Sequence, residues 1–177
     1  SFMQKPLKGA VLYALDVPST GGDTAWVNLY LAFELLSKPM QNLCSSLTAV
    51  HDNFHKNLTN VLDTYGAKGY EMARKATPPI EHPLVCRHPE TGRKCLFYSE
   101  LMVSHFKQLS ADENKALKDF LVNHIKKPEL YCRFKWDNHS IAFWDNRCTA
   151  HKGIFDFGQE HRLMHRVAIQ GETKPKK

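Results

Sequence analysis

The stretch WDNRCTAHKGIFDFGQEHRLMHR, residues 144–166, holds three histidines and three arginines within 23 residues. Its last part alternates with a period of two and, with the apolar residues that follow, predicts a strand over residues 161–169. Arg162 and Arg166 then lie on one face of that strand. Arginines on an inward face are costly to bury without acidic partners, so they would favour bound acids, whose carboxylates match the guanidinium fork. On an outward face they would be solvated arginines paired with Asp or Glu.

His151 follows a strand predicted over residues 140–144, and we expect it in the loop after that strand. A neutral imidazole there could bind iron or zinc, or it could be an ordinary surface or hydrogen-bonding histidine. Asp145 and Asn146 are typical of turns and by themselves indicate no catalysis. A cupin-like zinc or carbohydrate-binding protein is disfavoured, because no second cluster of metal ligands accompanies His151.

The rest of the chain predicts short strands separated by turns, with a few helices. Predicted strands cover residues 9–17, 83–87, 94–98, 131–136, 140–144 and 161–169. Predicted helices cover residues 26–36, residues 37–47 and the segment after the capping box of Ser110 and Glu113. Residues 51–77 suggest a long loop with a short helix. The pattern is mostly β with outer helices in a single domain, residues 1–177, without the alternation of a doubly wound sheet.

Composition narrows the function classes. The net charge is +6 and the pI about 9.1, but Lys and Arg are scattered apart from the KPKK tail, so nucleic acid is not the expected partner. No apolar run of about 18 residues occurs, so we expect no membrane span. The five cysteines form no C-x-x-C pair, which argues against a disulfide framework and a structural zinc site. Reduced thiols and a cytoplasmic location are expected.

Four motifs follow one another along the chain. They are GGDTAW (residues 21–26), HP and then HPETGRKCLF (residues 82–97), WDNRCTAH (residues 144–151) and HRLMHR (residues 161–166). This ordered set, which covers nearly the whole chain, resembles the taurine dioxygenase family, including the 2,4-dichlorophenoxyacetate dioxygenases. These are non-haem Fe(II)- and 2-oxoglutarate-dependent oxygenases. The resemblance implies a double-stranded β-helix, or jelly roll, with helices packed outside.

The resemblance also implies roles for single residues. His151 looks like the distal histidine of the iron site built from two histidines and one carboxylate. Arg162 and Thr24 look like the residues that hold the far carboxylate of 2-oxoglutarate. Arg166 looks like the arginine that meets the substrate sulfonate in the taurine enzyme. The implied reaction uses O₂ to hydroxylate a small anionic substrate, such as a sulfonate, a sulfate ester or an aryloxy acid, and releases succinate and CO₂.

The other two iron ligands of this family form an H-x-D or H-x-E motif before GGDT, and no such motif occurs there. His88 and Glu90 have the right spacing, but they follow GGDT in a hairpin turn, so we do not assign them to the iron. We therefore expect an N-terminally incomplete oxygenase domain that is inactive as written. The alternative is a naturally short, non-catalytic relative that keeps an anion-binding pocket but cannot hold iron.

Two further expectations concern the surroundings of the site. Leu58 and Met102, in predicted loops, could form an apolar wall beside the substrate, although core or surface packing explains them equally well. Members of the family are often dimers or tetramers, so a homo-oligomer remains open.

Overall fold

In the computed structural model, which describes residues 1–56 and 58–177, the chain forms small antiparallel sheets and helices. The strands are β1 (Gly9–Asp16), β2 (Thr24–Asn28), β3 (Thr48–His51), β4 (Ile80–Pro83), β5 (Val85–Arg87), β6 (Lys94–Leu96), β7 (Val103–Phe106), β8 (Tyr131–Phe134), β9 (Ile141–Asp145), β10 (Thr149–Gly153) and β11 (Leu163–Ile169). The helices are α1 (Leu29–Glu34), α2 (Lys38–Ser46), α3 (Leu58–Ala76) and α4 (Ala111–Ile125), with a 3-10 turn at Pro128–Leu130. The predicted combination of sheets and helices is confirmed at this level.

Two three-stranded sheets, here called the site sheets, carry the predicted functional residues. In the first, β1 lies between β11 and β9, and in the second, β2 lies between β10 and β8. Leu12 of β1 is opposite Arg166 of β11. Trp26 of β2 is opposite both His151 of β10 and Cys132 of β8. Because directly opposite residues of antiparallel strands project to the same side, these last three residues share one face of the second sheet.

The main hydrophobic core lies in another part of the chain, here called the packed region. It comprises α1, α2, α4 and the strands β3, β5, β6 and β7. Side chains fully hidden from solvent there include Leu47, Leu84, Leu96, Phe106 and Leu121. Burying several such side chains, at about 1.5–3 kcal/mol each, makes this region the main source of hydrophobic stabilisation.

Residues 26–36 do not form the single helix that their apolar pattern predicts. They belong to the end of β2 and to the short helix α1. The side-chain oxygen of Asn28 accepts hydrogen bonds from the backbone N–H groups of Tyr30 and Leu31 at 3.0 and 3.1 Å, which caps α1. Residues 24–28 pair instead with β8 and β10, so long-range pairing overrides the local pattern.

Residues 51–77 contain more helix than predicted. The helical residues Leu58–Ala76 are interrupted at Gly66, whose φ of 66° and ψ of 178° suit glycine. Leu58, predicted to lie in a loop, is the first residue of α3. No described side chain of α3 is buried, so this helix lacks the buried apolar face by which a sequence usually reveals one. Asn57 lies outside the described residues.

Local signals elsewhere predicted the structure well. Ser37 caps α2, and Ser110 and Glu113 form the predicted capping box of α4. The predicted hairpin around HPETGRK is formed by β5 and β6. On α4, Leu117, Leu121 and Ile125 are buried, whereas Phe120 is 42% exposed.

Two features bear on membrane insertion and on the redox state of the cysteines. Within the described residues, no helix combines the length and apolar character needed to cross a membrane. All five cysteines are free, and only Cys132 is exposed.

Candidate active site

His151 lies within strand β10 and not in a loop as predicted, because the turn after β9 occupies only residues 146–148. Its ring packs against the ring of Trp144, with centroids 4.9 Å apart. The Trp144 ring also packs against Trp26, at 5.2 Å. Trp144 belongs to the first site sheet and the other two residues to the second, so these contacts join the sheets. The His151 ring makes no hydrogen bond to another described residue, which leaves its nitrogens available to a ligand.

Thr24 is buried at the start of β2, on the same face of the sheet as Trp26. Its hydroxyl oxygen accepts a hydrogen bond from the indole nitrogen of Trp136 at 3.0 Å. A hydroxyl that accepts one hydrogen bond still has its own proton to donate. Thr24 is therefore oriented by Trp136 and able to donate to an acidic ligand.

Arg162 lies just before β11, which begins at Leu163 and not at residue 161 as predicted. The regular pairing of β1 with β11 is interrupted by a register shift between Ala14 and Asp16. Arg166 therefore lies within β11, whereas Arg162 lies one residue before the strand, and the predicted common face of the two arginines stays a prediction. Its Nε donates to the backbone oxygen of Gly22 at 3.1 Å, while its two terminal nitrogens have no hydrogen-bond partner among the described residues. That free edge can donate two parallel hydrogen bonds to a carboxylate.

Gly22 makes this approach of Arg162 feasible. Its φ is 70°, in the left-handed region. A Cβ atom at this position would lie 3.2 Å from both Cδ and Nε of Arg162 and 3.2 Å from Pro18. Gly22 therefore permits both the left-handed backbone of the turn and the close approach of Arg162.

Two residues that sequence reasoning missed hold the GGDT turn in place. The Asp156 carboxylate accepts hydrogen bonds from the Gly22 backbone N–H at 2.8 Å and from Arg133 at 2.9 Å. Arg133 also donates to Asp23 at 2.5 Å, and this contact is the main reason that its pKa is raised. The contacts with Gly22 and Asp23 span 134 and 110 residues along the chain, so no local pattern signals them.

Arg166 lies in β11, is exposed, and makes no ion pair or hydrogen bond with a described residue. His151 is also exposed by its surface area, yet the atoms around its ring desolvate it enough to lower its pKa. The positive charge of Arg166 lowers this pKa further. Each effect favours neutral imidazole, the form that binds metal ions. The structure therefore brings His151 and Arg166 into the same electrostatic environment.

Trp26 offers a further polar group at this site. Its indole N–H is buried and has no hydrogen-bond partner among the described residues. Buried donors are nearly always paired in native proteins. This donor favours the presence of a polar ligand or a water molecule beside the aromatic residues of the site.

A complete metal site does not form around His151 within the described residues. The group there that could hold a metal ion is His88, Asp145 and Cys148, whose ligand atoms lie within 4.8 Å of one another, and it excludes His151. Fe(II) in a site of the predicted type needs three protein ligands. The described residues supply only one of them, so they do not fit the whole iron site.

A cavity of about 500 Å³ lies elsewhere, between residues 86–92 and the C-terminal residues 171–177. Its lining includes Lys8, Glu90 and Arg147 but none of the predicted site residues. The candidate site is thus defined by the chemistry of its side chains and not by this cavity.

The family model described as taurine catabolism dioxygenase TauD, TfdA family matches residues 1–168. The chain belongs to this family. The resemblance that the four motifs indicated is therefore confirmed for the TauD/TfdA chain.

Relatives and a solved structure agree with this membership. An alkylsulfatase of Acinetobacter baylyi is 31% identical over 98% of this chain and 55% of its own length. An alpha-ketoglutarate-dependent sulfate ester dioxygenase of Pseudomonas putida is also 31% identical, over 98% of this chain and 58% of its own length. The crystal structure of AAD-2 in complex with Mn(II) and N-oxalylglycine matches all of this chain and 68% of its own, with a TM-score of 0.88 and 25% identity. The chain spans about half the length of the curated relatives it matches.

Proposed function

We propose that the protein carrying this TauD/TfdA chain is an Fe(II)- and 2-oxoglutarate-dependent dioxygenase that hydroxylates a small anionic organic substrate. The observation that carries this proposal is the contact of Arg162 with the GGDT turn, which leaves its terminal nitrogens without a hydrogen-bond partner among the described residues. Thr24 of the same turn keeps a proton to donate. A relative named as an alpha-ketoglutarate-dependent dioxygenase supports the reaction class.

The proposed fold is a double-stranded β-helix to which the two site sheets contribute. The contact of Trp144 in one sheet with Trp26 and His151 in the other supports a face-to-face arrangement. Closed β folds of sufficient size can enclose a ligand cavity between their sheets. Among the described residues, neither the His151 ring nor the Trp26 indole N–H has a hydrogen-bond partner, and both are consistent with such a space.

The described residues fit 2-oxoglutarate better than they fit iron. The far carboxylate of 2-oxoglutarate would accept two hydrogen bonds from Arg162 and a third from Thr24. Partial burial of Arg162, which lowers its pKa, strengthens such a charged hydrogen bond by removing competing water. His151 would supply one ligand to Fe(II), but the described residues do not complete the iron site, so we derive no chemical step at the metal.

Arg166 is the proposed contact for the acidic group of the substrate. It is exposed, has no acidic partner among the described residues, and lies close enough to His151 to affect its pKa. A sulfonate, a sulfate ester or a carboxylate could meet its guanidinium group. Leu58 and Met102 as an apolar wall also remain predictions, with Leu58 now assigned to a helix.

The alternative function is a non-catalytic protein that binds small acids through Arg162 and Arg166 without iron. The specific observation in its favour is that His151 has no companion ligands among the described residues. We also propose a cytoplasmic location, which is consistent with five cysteines that form no disulfide. A homo-oligomer remains a prediction.

Binding of 2-oxoglutarate to residues 1–177, measured by NMR titration, tests the proposed carboxylate clamp. Changing Arg162→Gln removes charge-assisted hydrogen bonds, so we expect Kd to rise about 10- to 100-fold. Arg87→Gln is the matched control, because Arg87 is an exposed arginine of β5 that donates to the Gly92 carbonyl, outside the site. Equal affinities of the Arg162→Gln variant and the unchanged chain would contradict the clamp.

Succinate release separates the enzyme from the alternative. It is measured on the chain together with whatever the reading frame encodes before Ser1. Release that requires Fe(II), 2-oxoglutarate and a sulfonate or carboxylate supports the dioxygenase. Binding of 2-oxoglutarate through Arg162 without any succinate supports the non-catalytic alternative.

A further inference from the structure

The HPETGR motif, residues 88–93, has no part in the proposed chemistry, yet its first residue is deeply buried. His88 is 5% exposed, and its Nε2 lies 3.0 Å from the Asp145 carboxylate. Asp145 ends β9, directly after Trp144, and His151 stands six residues further on. A turn that is distant in sequence therefore contacts the segment that leads to His151.

The neighbouring thiol of Cys148 makes His88 and Asp145 look like a metal site. The hydrogen bonds argue against this. The Nδ1 atom of His88 accepts from the backbone N–H groups of Glu90 and Thr91 at 3.3 and 3.2 Å. Nδ1 is therefore unprotonated, and Nε2 carries the proton that it donates to Asp145. Both ring nitrogens are occupied, so His88 has no lone pair left for a metal ion.

The Asp145 carboxylate is equally occupied. One oxygen accepts hydrogen bonds from the backbone N–H and Nε of Arg147, at 2.8 and 2.9 Å. The other oxygen accepts from His88 and from a terminal nitrogen of Arg147. Burial raises the pKa of Asp145, but these hydrogen bonds outweigh that effect and the pKa is lowered. The carboxylate is thus held charged as an acceptor.

Arg147 connects the two turns a second time. Its other terminal nitrogen donates to Glu90 at 2.9 Å, beside the His88 contact. The backbone oxygen of Arg147 also accepts from the Cys95 thiol at 3.3 Å, and the Thr149 hydroxyl donates to the Asp145 backbone oxygen at 2.5 Å. The contacts of His88 with Asp145 and of Glu90 with Arg147 therefore join the HPETGR turn to residues 145–147, while the Cys95 and Thr149 hydrogen bonds hold those residues from β6 and from within.

We propose that His88 is a positioning residue for His151, acting through Asp145 and the turn of residues 146–148 that follows it. This turn fixes how β10 follows β9, and so fixes where the His151 ring stands against Trp144. The inference rests on the proposed role of His151 as a ligand, but the arrangement itself is measurable without metal or turnover. The role of His88 is confined to holding this turn, since neither of its ring nitrogens is free to meet a substrate.

The first test is the tautomer of His88 in the unchanged chain. Long-range ¹H–¹⁵N NMR is expected to show the Nε2–H form. The Nδ1–H form would overturn the proposal, because it is incompatible with both backbone hydrogen bonds. This measurement needs no variant and so does not depend on whether a variant folds.

The second test compares His88→Ala with His88→Gln and His124→Ala. Gln keeps a side-chain N–H that can donate to Asp145, whereas Ala does not. His124 is a matched control: it is buried on α4 and donates to the Ala32 carbonyl at 2.7 Å, away from the turn. In His88→Ala, amide exchange across residues 149–153 should accelerate about tenfold or more and the His151 ring signals should shift.

The expected pattern is restoration by Gln and no change at His151 in His124→Ala. If His88→Ala lowered Tm only as much as His124→Ala and left the His151 signals unchanged, the positioning role would be rejected. Titration of each variant with 2-oxoglutarate reports separately on the Arg162 clamp. Failure of the proposed function and failure of this inference are therefore distinguishable.

Discussion

The packed region and the site sheets differ in how much of their apolar surface they expose to solvent. In the packed region, residues such as Phe106 and Leu121 are fully hidden from solvent. In the site sheets, Ile141, Phe143 and Val167 are between 64% and 69% exposed, and all four residues of β8 are exposed. The cluster of buried residues lies mainly in the first region, and Val27 and Ala150 of the second site sheet pack against it.

The two regions therefore rely on different interactions. The packed region is stabilised by burial, which depends little on direction. The site sheets are organised by strand pairing, aromatic contacts and the ion pairs of Arg133, which are directional and fix individual side chains. We therefore expect core variants to change mainly unfolding and site-sheet variants to change mainly ligand binding.

The largest expected effect contrasts two phenylalanines. Phe106→Ala in the packed region should cost about 3–5 kcal/mol of unfolding free energy, because it leaves a cavity in a closed core. Phe143→Ala on β9 should change stability by no more than about 0.5 kcal/mol, because the ring is already largely in water. Urea unfolding followed by circular dichroism measures both. Similar costs for the two variants would break the comparison.

The next effect is a dependence of stability on pH through His51, which is fully buried beside Phe97. Burial, then repulsion from His82, lowers the pKa of His51 to about 3. In the unfolded chain its pKa is about 6.5, so between these values only the unfolded state takes up the proton. Stability should be full above pH 6.5 and fall as the pH drops, by about 2 kcal/mol between pH 7.5 and pH 5.

Urea unfolding at both pH values measures this loss, and His51→Phe supplies the comparison. The variant keeps an aromatic ring but cannot titrate, so its unfolding free energy should fall less between the two pH values. An unchanged slope in His51→Phe would assign the acid sensitivity to other groups.

The smallest effect concerns Trp136, which acts on ligand binding through Thr24. Trp136→Phe removes one neutral hydrogen bond to the Thr24 hydroxyl, worth about 1 kcal/mol, so the affinity for 2-oxoglutarate should fall up to about tenfold. A double-mutant cycle with Thr24→Val, measured by NMR titration with 2-oxoglutarate, tests whether Trp136 acts through Thr24. If Trp136 acts through Thr24, the double variant should bind no more weakly than Thr24→Val alone, and fully additive losses would contradict this.

Local structure was the most predictable part of the molecule. The capping box of Ser110 and Glu113 and the HPETGRK hairpin are encoded within a few residues, and both are present. Strand β2 was misread because its pairing with β8 and β10 is a tertiary effect that the apolar pattern of residues 26–36 conceals. Strand β10 was missed because it is short and mostly exposed.

The candidate site also contains some residues that local motifs predict and others that depend on long-range contacts. Thr24, Arg162, Arg166 and His151 follow from motifs, and the structure assigns them to the two site sheets and the turn beside them, while their roles remain predictions. Arg133 could not be found from sequence, since its partner Asp23 lies 110 residues away and a lone arginine on a strand is unremarkable. Long-range polar contacts of this kind depend on the completed fold.

The exposure of Cys132 offers a practical route to observing the site. The other four cysteines are wholly or partly buried, and burial raises the pKa of each of their thiols, which slows their alkylation. Cys132 is opposite Trp26, in the same row of the sheet as His151. A maleimide fluorophore added to the unaltered chain should therefore attach mainly at this one position. Its emission would then report on ligands entering the space next to the tryptophans, without any engineered residue.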